Sequence, residues 1–369
     1  MLTFPHFGDL HLYGRLFFRE LGVEIVTPPP NSRRELSKGA LLAPEEMCLP
    51  FKLMLANLLS AREQGADTVV MAATMGPCRL GEYGELLKAI LDREGAPLRW
   101  ILLDPPRAIG LREVLRRLGE TVEDRQCSWI RLFWALGGVY GLVRSWEGLQ
   151  AAAARHCCCE QTPGSTGRLL KACRRELEEA ASLRQARRTV RRWRKGLPRT
   201  GPASPRPLRI LLTGEIYSLT EPFANHHIES FLLDRGVCYE KPVTLGWWLR
   251  RTLLTPLGGL RAEKRKNPAL PHCIGGYAKE TVMDALKSRK RGFDGVIQIL
   301  PTGCMPEIVS KAVFDRLSGE GELKVLTLIF DEMDGEAGYL TRIEAFLDML
   351  EMQKKKNGQA LLSYKEGNR

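Results

Sequence analysis

The stretch GVIQILPTGCMPEI, residues 295–308, decides the fold. Gly295 to Leu300 is a short apolar run, and Pro301-Thr-Gly-Cys304 interrupts it before a helix opens at Pro306. An apolar run of that length bounded by turn residues reads as a buried strand. Proline suits an initial helical position, because the N–H it lacks would have no partner there. The order strand, loop, helix carries the Cys304 thiol to the carboxyl end of a sheet, the edge where open α/β folds place their ligands. Two more cysteines stand in Gly/Pro-rich settings of the same kind, Cys48 in PEEMCLPFK and Cys78 in MGPCRLGEYGE. The expectation is an α/β protein in which Cys48, Cys78 and Cys304 meet at one metal centre.

Working outward, the pattern of residues 295–308 recurs. Downstream of residue 207, strands are expected at Leu208 to Leu212 and Lys324 to Phe330, and a strand or extended segment at Val237 to Val243, with Thr213-Gly-Glu215-Ile-Tyr217 opening the loop after the first. Helices are expected in NHHIESFLLDRGV, over Ala278 to Ser288 and Pro306 to Leu317, and from about Tyr339. Near the N-terminus, Leu2 to Phe4 is followed by a helical face of Leu10, Leu12, Leu16, Phe17 and Leu21 that Gly22 ends. Val23 to Val26 then reads as a strand closed by Pro28-Pro-Pro30, Pro50 to Arg62 as a helix, and Thr68 to Ala73 as a strand. A helix over Leu86 to Leu91 and a strand over Leu98 to Leu103 complete the region. Strand–helix alternation of this kind gives parallel sheets. We expect two Rossmann-like domains, 1–106 and 208–369, with a helical region 107–197 between them and a Pro-rich linker at 198–207.

Composition narrows the function classes. The chain has 369 residues, of which 44% are hydrophobic, enough to bury large cores. No apolar run reaches the roughly 18 residues that span a bilayer, and MLTFPHFGDL lacks the features of a secretory signal, so a cytoplasmic protein without a membrane partner is expected. The net charge of +12 is concentrated in the basic run from Arg174 to Arg209. A solvated helix face and linker accounts for that run, and no nucleic-acid recognition pattern accompanies it.

Ten cysteines in such a chain favour metal or redox roles over a disulfide framework. Cys127, Cys173 and Cys238 lie in apolar contexts and read as buried small hydrophobes. The run His156-Cys157-Cys158-Cys159 has neither CxxC nor HxxxH spacing and reads as structural. His226 and His227 read as capping or surface residues, and Cys273, in HCIGGYAKE, as a loop thiol with a fourth-ligand role as the alternative. Cys48 is expected at the start of a helix, where unsatisfied N–H groups and the helix dipole favour a thiolate. Three thiolates on a cubane leave one iron open to an exogenous ligand.

The phrases PEEMCLPFK, GPCRLGEYGE, GEIYSLTEPFAN and ILPTGCMPEI, with FDEMDGEAGYLTRIEAF, resemble the 2-hydroxyacyl-CoA dehydratase / benzoyl-CoA reductase superfamily. They are most similar to its stand-alone branch labelled CoA protein activase, related to double-cubane cluster proteins. The resemblance touches both α/β regions and implies two Rossmann-like domains with an iron–sulfur cluster between them. That cluster is a [4Fe-4S] centre, or the sulfide-bridged [8Fe-9S] pair of double-cubane members, and the implied ligands are Cys48, Cys78 and Cys304. It further implies ATP-dependent reduction by a separate iron–sulfur activator protein, a small substrate of the acyl-CoA class, and a homodimer or heterodimer. No Walker A loop is present, so the chain resembles the acceptor of electrons and not the ATPase. The leading expectation is a reductase or dehydratase component. The alternative is a non-catalytic electron carrier or scaffold, and a third, weaker reading is a basic nucleic-acid-binding protein. No catalytic residue is assigned from the sequence.

Overall fold

Among the described residues, seven short parallel strands build two sheets. The computed structural model describes residues 1–73, 78–122, 129–162, 164–197, 207–252, 269–272, 274–333 and 335–366. In the first sheet β1 (Leu2–Thr3), β2 (Thr68–Ala72) and β3 (Arg99–Leu103) lie side by side in chain order. In the second, β4 (Arg209–Gly214), β5 (Cys238–Glu240), β6 (Gly295–Pro301) and β7 (Val325–Phe330) take the order β5-β4-β6-β7. A parallel bridge also pairs Leu2 with Ile25, so the extended 23–26 segment flanks β1 as β5 flanks β4. That segment was expected to be a strand. It shrinks to one bridge because β1 offers only two residues to pair with and Pro28 to Pro30 supply no N–H donors.

Strand order therefore reverses twice, between β1 and β2 and between β4 and β6. Connections leaving such a pair go to opposite faces of the sheet and open a crevice at its carboxyl edge. The residues after β2 and after β6 lead to Cys78 and Cys304.

One continuous core joins the two sheets. It contains Phe51, Leu55 and Leu58 of the Leu49–Glu63 helix, Val69 and Met71 of β2, and Leu212, Ile297 and Ile299 of β4 and β6. The Leu49–Glu63 helix is buried on nearly all sides over its first thirteen residues, which is why it reads as apolar all round rather than amphipathic. Among the described residues no strand lies between β3 and β4. Helices Trp129–His156, Ser165–Glu179 and Leu183–Lys195 pack there against Leu10–Leu21 through Leu12, Leu16, Trp146, Leu149, Leu177 and Val190. The helix Arg33–Leu42 was not anticipated. Ser32 caps it by accepting the Glu35 N–H at 3.3 Å, so the S-x-x-E spacing at 32–35 was the available signal. Of the expected linker, residues 198–206 lie outside the described residues. Among the described residues no helix is long and apolar enough to cross a membrane.

Gly214 ends β4 at the second reversal with φ +132°, and a Cβ there would sit 1.9 Å from the Ile299 carbonyl oxygen of β6. Neither the backbone conformation nor the space admits a side chain. Gly214→Ala is expected to destabilise the protein by about 2–4 kcal/mol, read as a lower denaturant midpoint. An unchanged midpoint would contradict the close approach of β4 and β6.

Candidate metal centre

Each of the three cysteines occupies the same local position, the last extended residue before a helical turn. Cys48 precedes the Leu49–Glu63 helix, Cys78 the Arg79–Glu82 turn, and Cys304 the Met305–Gly319 helix. Proline in the first turn of the two longer helices, Pro50 and Pro306, fixes where each begins. The backbone N–H groups two or three residues on, those of Phe51, Leu80 and Glu307 respectively, favour the thiolate, although none makes a capping hydrogen bond to the sulfur.

The three loops meet. Arg79, next to Cys78, donates Nη1 to the Glu46 carbonyl at 2.9 Å, two residues ahead of Cys48. Gly303, next to Cys304, has φ +76°, and a Cβ there would lie 3.9 Å from the same Glu46 oxygen. Lys52, buried in the Leu49–Glu63 helix, pairs with Glu332 in the loop after β7, and Arg33 donates Nη1 to the Glu332 carbonyl at 2.8 Å. The carboxyl edges of both sheets thus close on one seam, and Cys48, Cys78 and Cys304 line it.

Burial raises the pKa of all three thiols, and the Glu215 carboxyl raises each of them further. Glu215 stands at the end of β4, where its carboxylate accepts the N–H groups of Tyr217 and Ser218 at 2.8 Å each and the Ser218 hydroxyl at 2.9 Å. Burial pushes its own pKa up. The Tyr83 hydroxyl, buried, is hydrogen-bonded to the Cys48 sulfur, and Tyr277 lies within electrostatic reach of Glu215 and Cys78. Under Cys304, Glu307 is 1% exposed, and its carboxyl accepts from Thr281, Gln298 and Ser310 at 3.0 Å each. Burial raises its pKa to about 7. Sequence reading had passed over Glu215, Tyr83, Tyr277 and Glu307. A carboxylate at a strand end just before a helix was the available sign for Glu215; nothing marked the tyrosines.

Among the described residues no group of three or more His, Cys, Asp or Glu side chains is arranged to hold a single metal ion. A cubane makes a different demand, since each thiolate binds a different iron and the sulfurs stand further apart than the ligands of one ion. The donor set fits such a group in its chemistry: three cysteines at helix starts, nearby backbone N–H groups that favour the thiolates, and a glycine beside Cys304.

The remaining cysteines stand elsewhere. Cys173 is buried in the helical core, as expected of a small hydrophobe. Cys157 is buried with its Sγ 3.3 Å from the Val237 carbonyl oxygen. Cys158 and Cys238, read from sequence as structural free thiols, instead form a disulfide, with Cα atoms 5.9 Å apart. They are 80 residues apart in the chain, and β5 comes beside the end of the Trp129–His156 helix only in the folded protein. His227 is the exposed residue ahead of the Ile228–Asp234 helix, and the His226 ring packs on Phe330 and Tyr339 with centroids 5.4 and 5.0 Å away. Cys127, Cys273 and Gly76 lie outside the described residues. Compared with known proteins, the chain matches no family model and no curated protein.

Glu307 gives the seam a pH signature. Its folded-state pKa, about 7, exceeds the ordinary 4.5, so between these values the folded chain holds a proton that the unfolded chain releases. The stability tied to this group is fully present below pH 4.5 and is lost as pH rises through about 7. In metal-free protein, Glu307→Gln is expected to flatten the fall in denaturation free energy across that window. An unaltered slope would show that the carboxyl titrates normally.

Proposed function

We propose that the chain is the cluster-bearing component of a reductase or dehydratase. It would hold a [4Fe-4S] cluster, or one half of a double-cubane arrangement, on Cys48, Cys78 and Cys304. A separate ATP-hydrolysing iron–sulfur protein would supply its electrons, and the substrate would be a small molecule of the acyl-CoA class. The observation that carries this reading is the convergence of three thiols, each at the start of a helical turn, on the seam where both sheets end. The resemblance of PEEMCLPFK, GPCRLGEYGE and ILPTGCMPEI to the dehydratase superfamily supports it from the sequence side. Two parallel sheets whose strand order reverses in the same way are compatible with the Rossmann-like pair that the resemblance implies.

When bound, the group would supply one-electron chemistry and an iron open to substrate. The chain's own residues would do the rest. Burial favours the neutral thiols, so ligation would release protons from Cys48, Cys78 and Cys304. The N–H groups of Phe51, Leu80 and Glu307, with the Tyr83 hydroxyl at Cys48, would then stabilise the sulfurs' negative charge. Burial raises the pKa of Glu215 and takes that of Glu307 to about 7, so a proton on Glu307 would spare an anionic thiolate-bound cluster one further negative charge.

The test is iron retention in variants of protein purified without oxygen. Cys304→Ala is expected to lose most of its iron, whereas Cys158→Ala, at the disulfide, should retain the wild-type content. Equal loss in both would remove this ligand set. Turnover of an acyl-CoA that requires both ATP and an activator protein would distinguish an enzyme component from an electron carrier; a cluster that is reduced but never turns over would favour the carrier.

A further inference from the structure

Away from the seam, helices Trp129–His156 and Leu183–Lys195 frame a cleft of about 420 Å³. The first helix contributes Arg131 and Trp134, and the second contributes Arg184, Arg187, Arg188 and Arg191. Arg131 and Trp134 are three residues apart, and the four arginines of the second helix, at spacings of three, four and seven, share one stripe. Gly138 and Gly141 let the helices approach, with a Cβ at Gly138 3.0 Å from Leu183 Cδ1 and one at Gly141 3.0 Å from Arg187 Cζ. The one carboxylate on the lining is Glu20, and it is engaged by backbone: its Oε1 accepts the Leu183 N–H at 3.2 Å. Arg131 donates Nε to the Glu20 carbonyl at 2.6 Å and not to its carboxylate. Among the described residues, none of the five arginines pairs with an acid, although neighbouring Arg174 and Arg192 both do. Arg187 Nε is buried with no hydrogen-bond partner, a costly arrangement that a bound acceptor would relieve.

Uncompensated like charges on adjacent turns repel one another, so this surface is stabilised by an anion. Guanidinium forks match phosphate oxygens in pairs, and the volume lies in the range of small-molecule sites. Trp134, 78% exposed at the rim, offers a flat apolar face. We propose that the cleft binds a phosphate-bearing ligand of the nucleoside di- or triphosphate class. The arginines take the phosphates, and the Trp134 indole takes the base.

Calorimetric titration of the intact chain with a nucleoside triphosphate, with pyrophosphate and with phosphatidylglycerol vesicles tests this. Saturable one-to-one binding of the nucleoside triphosphate is expected, weakened about tenfold or more in the Arg188→Glu/Arg191→Glu variant. Trp134→Ala should weaken the nucleoside triphosphate and leave pyrophosphate unaffected. Arg188 and Arg191 are exposed, so the fold is expected to survive, as checked by circular dichroism. Should the double charge reversal not fold, Arg184→Gln/Arg188→Gln gives the same readout. The proposal is overturned by absence of saturable binding, by wild-type affinity in the arginine variants, by equal affinity for pyrophosphate and nucleoside triphosphate, or by binding to vesicles alone.

Discussion

Three thiols, Cys304 buried and Cys48 and Cys78 half-buried, stand at the starts of three helical turns beside a carboxyl group, where the carboxyl edges of both sheets meet. Desolvation and Glu215 both oppose ionisation of Cys48, Cys78 and Cys304, while the N–H groups of Phe51, Leu80 and Glu307 favour it. Burial outweighs those N–H groups, and the cationic iron–sulfur core of a bound cluster would reverse the balance because thiolates are its ligands. The three thiols stand where both sheets end. A core running unbroken from the Leu49–Glu63 helix into β4 and β6, and a buried Lys52 paired across to Glu332, hold those edges together. Removing one partner of such a pair would leave a buried charge uncompensated.

The fold was legible where local signals agreed. Residues 295–308 carry an apolar run, a positive-φ glycine and an early helical proline, and they form strand, loop and helix as read, with β6 reaching Pro301 and the helix starting at Met305. Local reading failed where partners are distant. Val23 to Val26 has strand-like residues but too short a neighbour to pair with, so only Ile25 bridges. The Cys158–Cys238 disulfide depends on an edge strand and a helix end meeting across 80 residues, and no spacing rule reports that. At the seam, the cysteines were recognisable from Gly/Pro-rich junctions, whereas Glu215 and Tyr83 acquire their roles only through burial and orientation.

The basic middle of the chain has two faces with separate physical reasons. Leu183, Ala186 and Val190 turn inward to the helical core, which anchors the Leu183–Lys195 helix. Its outward arginines are largely exposed, as a solvated face requires, and four of them converge with Arg131 on one cleft without acidic partners among the described residues. Part of the net charge thus lies on two helices held close at Gly138 and Gly141.

The central claim is that the seam between the sheets holds an iron–sulfur centre. Its most direct test is iron and acid-labile sulfide per chain in wild-type protein purified anaerobically. The account predicts about four irons per chain or more, with matching sulfide, as cubane chemistry requires. Folded protein that carries neither iron nor sulfide, even after anaerobic reconstitution, would contradict it.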